Sequence, residues 1–138
     1  MEATELMVKD WVLHEGEPYQ IRRLGIHGVD RDGEDYPAVC IGKPKCIGLI
    51  VERNEIEPIP LTTEILEKNG LEKDNHGRLS GEYFDEDIHQ DLEITVDSKT
   101  GEVWWSYNWD EYYIIRLRYV HELQHALRLC GIEKEIIL

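Results

Sequence analysis

The stretch Glu57-Pro58-Ile59-Pro60-Leu61 limits the possible folds more than any other in the chain. Each proline fixes its own φ and pushes the residue before it out of the helical region, so no helix and no central strand can run through it. It reads as a stiff connector, and it divides the chain into residues 1–60 and 61–138. At 138 residues, 41% apolar and 32% charged, the chain has the composition of a globular protein. That length suits one compact domain or two small subdomains.

Before the connector the sequence reads as short strands separated by turn residues. Trp11-Val12-Leu13-His14 is followed by the turn Glu15-Gly16-Glu17-Pro18 and by Tyr19 to Leu24, and then by the polar loop Asp30-Arg31-Asp32-Gly33-Glu34-Asp35. Two further apolar runs, Ala38 to Ile41 and Cys46 to Val51, flank Gly42-Lys43-Pro44-Lys45. So many brief strands predict a curled antiparallel sheet closed on itself, because a flat sheet of this size buries too little. The opening Val8-Lys9-Asp10-Trp11-Val12-Leu13 resembles SH3-like barrels of the Tudor or KOW kind, over roughly a third of the chain. The Asp30 to Asp35 loop lacks the spacing of a calcium-binding EF-hand and reads as a solvated loop.

After the connector, Thr62 is an N-cap, Glu64 falls in the first turn, and Leu61 and Leu66 are placed for a hydrophobic staple. With Asn69-Gly70 as the stop, the spacing predicts a helix over Thr63 to Lys68. Leu71 to Gly81 is polar and reads as loop. Leu92, Ile94 and Val96 then alternate with polar residues, Asp97 to Gly101 is a hairpin turn, and Val103, Trp105 and Tyr107 line one face of the return strand. Tyr113 to Tyr119 alternates as a third strand, and Glu135 to Leu138 is a possible edge strand. The whole is α+β: an SH3-like small β-barrel, then an antiparallel sheet with one packed C-terminal helix.

That helix, Arg118 to Cys130, contains His121-Glu122-Leu123-Gln124-His125, a match to H-E-x-x-H. In a zinc-dependent metallopeptidase the two imidazoles one turn apart hold the metal and the glutamate is the general base for its water. At about 100° per residue, Tyr119, Val120, Leu123, Ala126, Leu127 and Cys130 form the buried arc, while His121, His125, Gln124, Arg128 and Arg118 fall on the other side and are expected to face solvent. A catalytic zinc needs a third protein ligand. Glu133, Glu135 and His89 are the candidates, and none is fixed by spacing. The pattern therefore reads more readily as a helix with two outward histidines, without zinc and without catalysis.

Charge excludes several functions. A formal net charge of −14 speaks against binding nucleic acid through phosphates or adsorbing to anionic membranes, and no apolar run is long enough to span a bilayer. Cys40, Cys46 and Cys130 form no C-x-x-C pair, and the first residues lack a signal peptide's regions, so a reduced, cytoplasmic setting is expected. Two features suit a protein partner. Trp104, Trp105 and Trp109 concentrate aromatic surface, and Asp85, Glu86 and Asp87 open a carboxylate-rich segment running to Glu93. The acidity also admits an inhibitor that mimics DNA.

Glu57-Pro58-Ile59-Pro60-Leu61-Thr62-Thr63-Glu64-Ile65-Leu66-Glu67-Lys68-Asn69-Gly70 and Tyr119-Val120-His121-Glu122-Leu123-Gln124 together resemble a group of small bacterial and phage proteins. That group pairs a Pro-Ile-Pro-Leu-Thr connector with a later helix opening Tyr-Val-His-x-Leu-Gln. The resemblance covers about a seventh of the chain and implies no known activity. It also implies glutamine at the position of Glu122 and asparagine at that of His125, which makes the zinc pattern an elaboration of a helix opening. The expectation is a non-catalytic, acidic protein-interaction module, with the peptidase and the DNA mimic as alternatives.

Overall fold

A computed structural model of the chain describes residues 6–85, 90–97, 102–107, 111–129 and 131–138; for residues 83–85, 90–92, 103–107 and 111–115 it describes the backbone. The protein is mixed α+β, built from two antiparallel five-stranded sheets and one main helix. It divides into two compact units, Met1–Ile59 and Pro60–Leu138, the cut falling inside the proline connector.

In the first unit the strands are β1 (Trp11–His14), β2 (Glu17–Val29), β3 (Asp35–Gly42), β4 (Leu49–Glu52) and β5 (Ile56–Pro58), with a 3-10 turn, Arg53–Glu55, before β5. Their order across the sheet is β4-β3-β2-β1-β5. Every strand sends at least one side chain into a single cluster of Leu6, Val12, Ile21, Val39, Ile41, Val51 and Ile56. Two registered pairs, Ile21 with Ile41 and Val39 with Val51, are buried on both strands, which ties strand register to the core.

The closed barrel expected from sequence is not found, because β4 and β5 remain the two edges of the sheet. Both are short, and Pro58 has no N–H to give to a further ladder. Strand β2 is much longer than its apolar run, since irregular pairing with β3 at Ile21 to Ile26 lets it bend and continue to Val29.

The second unit contains α1 (Thr63–Lys68) and the meander β6 (Glu72–Lys73), β7 (Arg78–Asp85), β8 (Gln90–Asp97), β9 (Glu102–Tyr107) and β10 (Glu111–Arg116), followed by α2 (Val120–Leu129). Its sheet order is β10-β9-β8-β7-β6. The β8–β9 hairpin stands where alternation placed it, with Ile94 opposite Trp105 and Val96 opposite Val103. Leu71 to Gly81 is not a loop. It holds β6 and the start of β7, with Leu79 fully buried.

The turn that makes this hairpin occurs twice among the described residues. Asp74 Oδ1 accepts the N–H groups of His76 and Arg78 at 2.8 and 2.9 Å, and Gly77 takes φ +77°. Asp30 Oδ1 does the same for Asp32 and Glu34, at 2.8 and 2.9 Å, with Gly33 at φ +83°. In both, the carboxylate organises its own loop by bonding backbone two and four residues on. The Asp30 segment is thus a hairpin turn in which the first carboxylate is already engaged.

Asp74 has its pKa lowered from 3.8, first by the Arg78 backbone N–H and then by that of His76 and the nearby positive charges. A carboxylate whose pKa is depressed on folding stabilises the fold above its unfolded value, and this is lost as pH falls through the folded value. Asp74→Asn keeps an acceptor oxygen but cannot titrate. Its unfolding midpoint is expected to lie slightly below wild type at pH 7, to fall less steeply below pH 3.8 and so to converge with wild type in acid, measured by denaturation at stepped pH.

Candidate functional site

Helix α2 starts one residue after an isolated bridge between Pro60 and Tyr119, and the Leu61 N–H donates to the Arg118 carbonyl at 2.8 Å. Pro60 and Leu61 therefore run beside the opening of the helix. Tyr119 is the N-cap, which makes Glu122 the third helical residue. From there its carboxylate reaches back to the unpaired amides at the helix opening. Glu122 Oε2 accepts the N–H of Arg118 at 2.5 Å and that of Tyr119 at 3.1 Å. One oxygen thus holds two backbone amides, at the end of the helix dipole that favours negative charge.

The far end of α2 is closed as firmly. Gly131 sits at φ +71°, its N–H donates to the Arg128 carbonyl, and the Ile132 N–H donates to that of Leu127, both at 2.9 Å. This is the paired arrangement of a Schellman stop, and Ile132 and Leu127 are both buried. Helix α1 ends the same way, with Gly70 at φ +94° bonding Glu67 and Leu71 bonding Leu66.

The expectation that His121 and Gln124 face water is overturned. His121 is 4% exposed and Gln124 7%, while His125 and Arg128 are half-buried. Helical bearing distinguishes two sides but does not say that only one is covered, and α2 is enclosed on both. Each of these four makes a polar, electrostatic or ring contact. The His121 ring stacks on Tyr119 at 5.7 Å between centroids and meets His125 edge to face at 5.6 Å. Tyr119, His121 and His125 are therefore an aromatic column along one side of the helix.

Among the described residues no three His, Cys, Asp or Glu side chains gather at one point. Glu133 and Glu135 are exposed on the tail, and His89 lies outside the described residues. Asp85 ends β7 opposite Gln90, whereas Trp104 and Trp105 pair with Thr95 and Ile94. Ile94 lies four positions after Gln90 on β8, about 13 Å along the strand. Asp85 and the Trp104–Trp105 pair stand on one sheet at different heights. Glu86, Asp87 and Trp109 lie outside the described residues.

Sequence reasoning missed Asn69, which it took only as a helix stop. Asn69 is 1% exposed. Its Nδ2 donates to the carbonyls of Ile65 and Ile137, each at 2.7 Å, and its Oδ1 accepts the Ile137 N–H at 2.8 Å. The side-chain amide thus pairs with one residue of the C-terminal tail as a neighbouring strand would. The tail does not become the edge strand considered from sequence, because one side chain takes the place of the ladder.

Comparison with protein-family models, curated proteins and solved structures gave no match. Among the described residues no helix is long and apolar enough to cross a membrane.

Proposed function

We propose that this chain is a non-catalytic, acidic protein-interaction module. The observation that carries this reading is the position of Glu122. A general base in an H-E-x-x-H site must direct its carboxylate toward water on the metal, whereas here the carboxylate holds the amides of Arg118 and Tyr119. The stacking of Tyr119 on His121 gives that imidazole a packing role as well.

On this reading the first unit is a divergent SH3-like fold that stays open at one seam. Its strand order and the 3-10 turn before β5 support that assignment. The partner is a protein with a basic segment, as a net charge of −14 favours. Trp104, Trp105 and Trp109 supply apolar contact, and Asp85, Glu86 and Asp87 supply charge. The setting is a reducing one such as the cytoplasm, in keeping with the free thiols of Cys40 and Cys46.

The test is metal analysis of untagged protein purified without chelator, with an assay for peptide hydrolysis. Wild type and His121→Ala are expected to contain equally little zinc, well below one per chain, and neither to hydrolyse peptide. Stoichiometric zinc that disappears in His121→Ala would overturn the reading.

A further inference from the structure

Sheet edges are normally protected by charge, proline or brevity. Of the edges whose side chains are described, β5 carries Pro58 and β6 is two charged residues, Glu72 and Lys73. The β4 edge is different. Ile47 just before it is 97% exposed, and within it Leu49 and Ile50 are 46% and 59% exposed. Among the described residues β4 pairs with β3 alone, which leaves the other side of its backbone without a neighbouring strand.

We propose that a second copy of the chain adds its own β4 here, antiparallel, about a two-fold axis near Leu49 and Ile50. Charge order supports a second copy as the occupant. Lys43 and Lys45 precede the apolar run, and Glu52 and Glu55 follow it. Antiparallel pairing sets the basic end of each copy beside the acidic end of the other, at both ends of the seam, and this is self-complementarity of the kind a two-fold interface needs. Parallel pairing would set like charges together. Lys43 is already bonded to Glu17 at 3.1 Å, so exposed Lys45 is the cation available to the seam. Arg53, between the two glutamates, is half-buried with Nε enclosed, so Glu52 and Glu55 together keep that end acidic.

The seam is short. A few apolar side chains from each copy bury well under the ~800 Å² per partner of a standard interface, so a weak, concentration-dependent dimer is expected. It belongs to the first unit and does not rest on the partner proposed above.

Sedimentation equilibrium from about 10 µM to about 1 mM spans that affinity range. Reductant in the buffer keeps the exposed Cys46 thiol from linking copies. Wild type is expected to show a monomer–dimer equilibrium, which Ile50→Lys and Lys45→Glu each weaken at least tenfold and Lys45→Glu/Glu52→Lys restores. Both single positions are solvent-facing, and unchanged circular dichroism and unfolding midpoints establish that the variants fold. A wild type that stays monomeric throughout overturns the proposal and leaves the edge bare or to a foreign strand. So does a dimer indifferent to Ile50→Lys, or open-ended association.

Discussion

Replacing Asn69 with alanine is expected to lower the unfolding free energy by about 3 kcal/mol, since it removes three hydrogen bonds from a buried site and strands the groups they satisfied. Ile137 loses a partner for both its N–H and its carbonyl, and the Ile65 carbonyl loses a second donor. The damage should reach Ile136, which is 1% exposed and is held in place by the bonds to its neighbour. Asn69→Asp is expected to be worse at neutral pH. It puts a carboxylate oxygen where Nδ2 now lies 2.7 Å from two carbonyl oxygens, so repulsion replaces two attractions. Burial among acceptors raises that carboxyl's pKa above its unfolded value. The penalty is therefore full at neutral pH and shrinks as pH falls through the raised folded value, with protonation supplying a donor. Urea denaturation at pH 7 and pH 5 reads both effects. Protease susceptibility of the tail distinguishes local release from global unfolding: early cleavage after Gly131 in the variants but not in wild type is expected. An alanine variant within about 0.5 kcal/mol of wild type, the range of ordinary surface substitutions, would mean the tail is not anchored through Asn69.

Helix α1 could be read from sequence because its signals are local, with Thr62 at the start and Asn69-Gly70 at the end, and the structure places it over Thr63–Lys68. The β8–β9 hairpin was legible for the same reason, as its alternation survives in the burial of Ile94 and Val96 beside half-buried Glu93, Thr95 and Asp97. The β6–β7 turn region was missed because Leu71 and Leu79 are the only apolar side chains between Leu71 and Gly81, and the Asp74-Asn75-His76-Gly77 turn looked like one polar stretch among others. Periodicity also misjudged α2. A hydrophobic arc locates the core side of a helix, but whether more chain lies over the polar side is a tertiary fact. The tail was beyond reach of any pattern, since the partner of Ile137 is a side chain 68 positions away.

The glutamate of the H-E-x-x-H match shows how one sequence signal can be read two ways. Three residues after an N-cap, a glutamate is half of a capping box, and between two histidines it is a catalytic base. The two readings predict opposite outcomes on substitution. If Glu122 acts through Arg118 and Tyr119, Glu122→Ala should cost about 2 kcal/mol, at the upper end for a helix cap because both bonds go to a charged acceptor. The loss should extend to the connector, since the Leu61 N–H bonds the Arg118 carbonyl and Pro60 bridges to Tyr119. Glu122→Gln keeps an acceptor oxygen without its charge and should cost less than half as much. For a catalytic base the order differs: removing a carboxylate from a water-activating site leaves the fold as stable or more so, and glutamine abolishes turnover as completely as alanine. Denaturation of the three proteins side by side, with amide exchange followed at Tyr119 and Leu61, separates the alternatives. Faster exchange at both amides in Glu122→Ala, with glutamine intermediate, is the expected result; stability that does not change in either variant would return the carboxylate to chemistry.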